Sequence, residues 1–176
     1  MIRHPVLDQL AAYGVKMGLD RVRSLLSHLG EPQLAYPTVH VAGTNGKGST
    51  CMMVTSALMA GGYRVGTNLS PHIEQVNERV RINGLPVDDV TLRMAIEALD
   101  RARADWGRSL GQNTTPLTYY EFMTVLAMHH FAASSANVGV FETGIGGRLD
   151  ATNVLKPVVT AITTVGLDHQ EVLGDT

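Results

Sequence analysis

The chain has 176 residues, 44% of them hydrophobic and 17% charged, with a net charge of −2. That length holds one domain with a substantial core, and the composition excludes a disordered chain. The near-neutral charge gives no electrostatic case for nucleic acid or an anionic membrane surface.

The single cysteine, Cys51, cannot close an internal disulfide, which favours a reducing compartment such as the cytoplasm. A small buried helix residue is its expected role. Met1–Gly14 lacks the cationic leader, long apolar stretch and small-residue cleavage site of a signal peptide. The most apolar helix, around Cys51–Ala60, is too short to span a bilayer.

Leu19, Val22, Leu25, Leu26 and Leu29 recur at helical spacing and stop at Gly30, predicting an amphipathic helix. Thr38–Ala42 reads as a first strand, Ser49–Gly61 as a helix and Tyr63–Thr67 as a second strand, a βαβ unit with parallel strands. Glu78–Ile82 and Leu85–Val87 flank Asn83-Gly84, a type I′ signal, so ERVRINGLPV should project as a small β-ribbon. Asp88 or Asp89 can cap a helix running to about Trp106, followed by a loop over Gly107–Pro116. Thr118 and Glu121 have the spacing of a capping box that opens a helix to about Ala133, which by itself accounts for both residues. Val138–Phe141 and Val158–Thr163 are short uninterrupted apolar runs, as in a buried parallel sheet. The fold class is therefore α/β, a doubly wound, mostly parallel sheet plus a small ribbon, with residues 1–176 forming one domain.

The chemistry starts at VHVAGTNGKGST, residues 39–50, where a strand runs into a glycine-rich turn and then a helix. Gly43, Gly46 and Gly48 let the backbone approach an anion, and the N–H groups of the helix start stabilise it. Lys47 would reach the β/γ-phosphates, and Ser49 or Thr50 could offer an oxygen to Mg²⁺. The spacing is a loose match to GxxxxGK[ST], because an extra glycine separates Lys47 from Ser49.

Residues just beyond the strands converge on one sheet edge, where this fold class binds ligands. Glu142 follows VGVF at the position of a carboxylate that holds Mg²⁺ against a triphosphate. Ser70 is a hard-oxygen donor, although Ser-Pro is equally a turn start. His169 reads as structural or as an anion contact, because Mg²⁺ prefers oxygen. His40 reads as a packed core residue, and His28, His129 and His130 as helix surface. GIGGRLD fails the dinucleotide fingerprint, since Leu149 stands where glycine is required. Arg148 and Asp150 look like a polar pair on a flexible loop, contacting substrate or each other.

In combination, HVAGTNGKGST, SPH with ERVRING, TYYEF, FETGIGGRLDATN and GLDHQEVLGDT resemble the folylpolyglutamate synthase/dihydrofolate synthase family of the Mur ligase superfamily, from about Gly18 to Thr176. The resemblance implies that Thr44, Asn45, Gly46 and Lys47, with the residues after them, bind ATP. It implies that Ser70, Glu142 and His169 ligate Mg²⁺, replacing the plainer reading of His169. Thr118 and the Leu149-Asp150-Ala151 turn would contact the pterin-containing substrate with Lys16 near the same pocket, and ERVRING would be the family's mobile substrate loop. The implied reaction joins L-glutamate to a folate or dihydropteroate carboxylate through an acyl phosphate, in a monomer.

The polar run LDHQEVLGDT at the end reads as the truncation of a longer protein. The family's C-terminal domain and its carbamylated lysine would lie beyond it, which puts catalysis by this chain alone in doubt. Another Mur-type amino-acid ligase, or a nucleotide-binding module without turnover, are the alternatives.

Overall fold

The computed structural model describes residues 4–111 and 116–175. A short helix that periodicity did not announce, α1 (Pro5–Ala11), precedes α2 (Asp20–His28). Gly30, at φ 79°, stops α2 as expected, with Glu31 N–H donating to the Leu26 carbonyl. β1 (Thr38–Ala42) keeps its expected bounds.

α3 (Lys47–Ala60) starts two residues earlier than the sequence suggests, because Gly46 at φ 81° is already its N-cap. At the other end, Tyr63 N–H donates to Leu58 O and Gly62 N–H to Met59 O, closing the helix in a Schellman arrangement. Tyr63 is thereby spent on the helix end, and β2 runs over Val65–Asn68.

β3 (Val80–Ile82) and β4 (Leu85–Pro86) form the expected hairpin, with Asn83 and Gly84 both at positive φ. The hairpin does not project. β3 pairs antiparallel with β2, Thr67 facing Arg81, so the ribbon extends the main sheet and covers an edge that β2 would otherwise leave unpaired.

α4 (Asp89–Leu110) is capped by Asp88, whose carboxylate accepts the Thr91 N–H at 2.8 Å. It passes the expected end at Trp106, whose buried indole N–H donates to Ser24 Oγ on α2 at 3.0 Å and holds the helix there. The predicted loop is therefore helix over Gly107–Leu110, and its residues 112–115 lie outside the described residues. α5 (Tyr119–Ala133) opens on the predicted capping box and ends where expected. β5 (Val138–Glu142) takes Glu142 into the strand itself. β6 (Val159–Ile162) is an edge strand with exposed Val159 and Ile162, not a buried one, and a short α6 (Gln170–Leu173) follows.

The sheet order is β4-β3-β2-β5-β1-β6, with β2, β5, β1 and β6 parallel. α3 covers one face through Cys51 against Val39, Val41, Val65, Val138 and Val140. The other face carries the larger core, built with α1, α2, α4 and α5 around Phe122, Phe131 and Phe141. A doubly wound sheet with a functional edge at the strand C-termini results. His40 is buried as expected and His28 is exposed, whereas His129 and His130 are half-buried, the latter beside Ser134 Oγ at 3.2 Å. Among the described residues no helix is long and apolar enough to cross a membrane.

Candidate active site

The turn after β1 is held from behind by the segment after β6. Thr44 N–H donates to Thr164 O at 2.6 Å, and the Thr44 hydroxyl lies between the Gly166 N–H and carbonyl at 3.0 and 3.1 Å. Asn45 is fixed by Thr164 Oγ1 on its N–H and by the Thr163 hydroxyl, which donates to its carbonyl at 2.7 Å. Gly43, at φ 132°, sits so close to Thr163 Oγ1 that a Cβ there would collide with it. These clamps leave the first-turn N–H groups of α3 without a side-chain cap, the arrangement that receives an anion. Lys47 Nζ rests on the Thr44 carbonyl at 3.1 Å, so its charge stands over the turn. Thr50 donates back to Gly46 O at 2.9 Å and is spent on the helix, while Ser49 lines the same recess as Ser70 and Glu142.

Glu142 is 6% exposed, and Ser70 N–H donates to its Oε2 at 2.8 Å. Burial raises the Glu142 carboxyl above its ordinary value, against the opposing pull of the Ser70 N–H and the Lys47 charge. A Cβ on Gly48 would stand 3.5 Å from Glu142 Oε1, an ordinary contact that places the first turn of α3 directly against the carboxylate. The Ser70 hydroxyl is buried and has no hydrogen-bond partner among the described residues. A desolvated carboxylate next to an unsatisfied hydroxyl is a hard-oxygen pair, which fits a divalent cation such as Mg²⁺. His169 caps α6 at φ 50° with its ring half-exposed, 3.8 Å from Asp168 and Glu171 carboxylate oxygens. Among the described residues no three His, Cys, Asp or Glu side chains cluster as a preformed metal cage.

Two cavities meet at His169. One, of about 540 Å³, runs along Gly43, Thr44 and Lys47 to Gly146. The other, of about 270 Å³, brings together Lys16, Thr118, Leu149, Asp150 and Ala151, residues far apart in sequence, with Ser70 at its border. Thr118 Oγ1 accepts the Glu121 N–H at 3.2 Å, and Glu121 Oε2 accepts the Thr118 N–H at 2.8 Å, so the helix cap is also cavity wall.

Asp150 and Arg148 do not pair. Arg148 is exposed, while the buried Asp150 carboxylate accepts from Gly144 N–H, Ile145 N–H, Thr152 N–H, the Thr152 hydroxyl and the Tyr120 hydroxyl, at 2.5 to 3.1 Å. Five donors fill a carboxylate's acceptor sites, so the side chain shapes the turn and the cavity is met by its backbone and neighbours. His40 closes this network from β1, its Nε2 2.7 Å from Thr152 Oγ1; burial lowers its pKa, against the Asp150 charge.

No family model matches the chain. The dihydrofolate synthase/folylpolyglutamate synthase of Bacillus subtilis is 41% identical over 172 residues, 93% of this chain and 38% of that protein. Escherichia coli FolC, solved in complex with DHPP and ADP, superposes with a TM-score of 0.85 at 37% identity, over 97% of this chain and 39% of that one. The chain belongs to the folylpolyglutamate synthase/dihydrofolate synthase family. The Mycobacterium tuberculosis folylpolyglutamate synthase complexed with ADP and AMPPCP, at 35% identity and a TM-score of 0.86, covers 97% of this chain and 37% of its own. The chain thus spans about two-fifths of the length of these relatives.

Motif reading in this member of the synthase family missed Arg79 and Tyr119, which share the smaller cavity, the guanidinium carbon lying 5.2 Å from the ring centroid. Arg79 Nε also donates to His72 Nδ1 at 2.9 Å. The hints lay in ERVRING, which carries Arg79 at the end of the 3-10 turn Val76–Arg79 just before β3, and in TYYEF, which carries Tyr119.

Proposed function

We propose that the intact protein joins L-glutamate to a folate-type carboxylate, dihydropteroate or a reduced folate, at the expense of ATP. The observation that carries this reading is the unsatisfied Ser70 hydroxyl beside the buried Glu142, between the Lys47 turn and the smaller cavity. The relatives' ligands support it: E. coli FolC was solved with DHPP and ADP, and a bifunctional synthase of 36% identity with Mn, AMPPNP and L-glutamate.

In this reading the Thr44–Thr50 segment receives the triphosphate on the first-turn N–H groups of α3, and Lys47 leaves the Thr44 carbonyl to neutralise charge on the γ-phosphoryl. Ser70, Glu142 and His169 hold Mg²⁺, which when bound offsets the charge of the transferring group and the desolvation of Glu142. The cavity of Lys16, Thr118 and the Leu149–Ala151 turn orients the acceptor so that its carboxylate meets the γ-phosphoryl in line. The acceptor carboxylate gains the phosphoryl, the glutamate amine attacks the acyl phosphate, and phosphate leaves. Buried Cys51, whose thiol burial pushes up to about 12, stays an inert packing group, and the intact protein is read as a cytoplasmic monomer.

ADP release by the intact protein with Mg²⁺, ATP and glutamate, comparing dihydropteroate with tetrahydrofolate, tests the proposal. Turnover with either acceptor is expected and names the step. Turnover only with a UDP-muramoyl acceptor, or tight ATP binding without turnover, would replace the reading with the cell-wall or the non-catalytic one.

A further inference from the structure

Residues 15–18 line the smaller cavity between Gly14 at φ 63° and Gly18 at φ 128°, and belong to neither helix nor strand. Among the described residues they make no backbone–backbone hydrogen bond. Among the described residues their one hydrogen bond to another segment comes from Arg21, whose Nη2 donates to the Lys16 carbonyl at 3.1 Å, while the Lys16 ammonium lies 5.4 Å from the Tyr13 ring centroid.

The same guanidinium is gripped by Glu121. Nε and Nη2 donate to Glu121 Oε1 at 3.1 and 2.7 Å, and Nε reaches Oε2 at 3.3 Å. Glu121 is almost fully buried, 3% exposed at its side chain, and its Oε2 also accepts the Thr118 N–H. Two parts of the cavity wall, the 15–18 loop and the start of α5, are therefore joined through one ion pair to the start of α2 behind them. A capping box needs only Thr118 and Glu121, so the cap does not account for Arg21. Aiming two donors at a carboxylate and a third contact at a carbonyl is a task for a planar fork, which the single ammonium of lysine cannot reproduce.

We propose that Arg21 is a positioning residue that holds the Lys16 loop against the acceptor cavity, so that Lys16 and the loop backbone meet a pterin-type acceptor in a fixed place. The inference rests on the proposed acceptor class. It assigns Arg21 no contact with the acceptor and none with nucleotide.

Arg21→Lys in the intact protein is the test, because it keeps a cation beside buried Glu121 while losing the fork; Arg21→Gln removes both. In Arg21→Lys the KM for the acceptor should rise about tenfold, with kcat and the KM for ATP within about threefold of the parent. Limited trypsin digestion reads the loop without any turnover, since the bond cut after Lys16 contains the carbonyl that Arg21 holds. The fragment ending at Lys16 should form about tenfold faster in Arg21→Lys, at an unchanged thermal midpoint. Unchanged acceptor KM together with unchanged cleavage overturns the proposal. So does a fall in kcat and in the thermal midpoint together with a rise in both KM values, which would make Arg21 a purely structural residue. Should the parent release no ADP with any pterin acceptor, the functional reading fails by itself, and the cleavage comparison still decides the tether.

Discussion

The phosphate turn and the wall of the smaller cavity solve opposite problems. The turn leaves the first-turn N–H groups of α3 without a side-chain cap, and its side chains, Thr44, Lys47 and Thr50, bond back to the loop, the helix or the segment after β6. The cavity wall buries charge inward, with Glu121 satisfied by Arg21 and Thr118, and Asp150 by five donors. An anion of fixed geometry needs open dipoles and one mobile cation, whereas an organic acceptor needs a rigid shape. Substitutions in the turn should therefore strike chemistry first, and substitutions in the wall should strike shape and stability.

The largest effect is expected at the turn. Lys47→Ala and Glu142→Ala in the intact protein should each slow ADP release at least ~100-fold, the loss of one preorganised electrostatic contact, with folding retained. Near-normal turnover in either would erase the distinction. In the wall, Asp150→Asn keeps the size but offers an NH₂ to groups that are all donors, and should cost about 2 kcal/mol in denaturant unfolding. Thr118→Ala loses the cap bond and should cost about 1 kcal/mol by the same measurement, with a raised acceptor KM.

The smallest effect has the opposite sign. Burial raises the Glu142 carboxyl, so the folded state holds that proton more tightly than the unfolded chain does. Its contribution to stability is present below the ordinary carboxyl range and is lost as pH rises through the raised value. Glu142→Gln should flatten that part of the stability–pH curve and slightly raise the thermal midpoint at neutral pH in the absence of metal, while abolishing turnover. A drop in the midpoint would show that Glu142 is retained for structure.

The same contrast governs what the sequence discloses. GTNGKGST, Glu142 at the end of VGVF and the Thr118–Glu121 cap are local signals, each contained in a dozen residues or fewer; the cap stands where it was expected, while α3 starts two residues early and Glu142 closes its strand instead of following it. Their partners are not local. Thr163, Thr164 and Gly166 clamp the turn across more than a hundred residues, and Arg21 meets Glu121 across a separation of 100, so periodicity and motif spacing could not pair them. Asp150 shows the limit most plainly: with Arg148 it reads as a polar pair on a flexible loop, contacting substrate or each other, and only the fold reveals the carboxylate turned inward under Tyr120. The hairpin was legible as a hairpin, but its docking on β2 depended on an edge that no local pattern describes.

Titration calorimetry of Mg·ATP and of the pterin acceptor against Lys47→Ala and Asp150→Asn, each in the intact protein, tests the division most directly. Lys47→Ala should weaken nucleotide binding and leave the acceptor near its parent affinity, and Asp150→Asn should do the reverse. Loss of both ligands in either variant would contradict a site built from two separately stabilised regions.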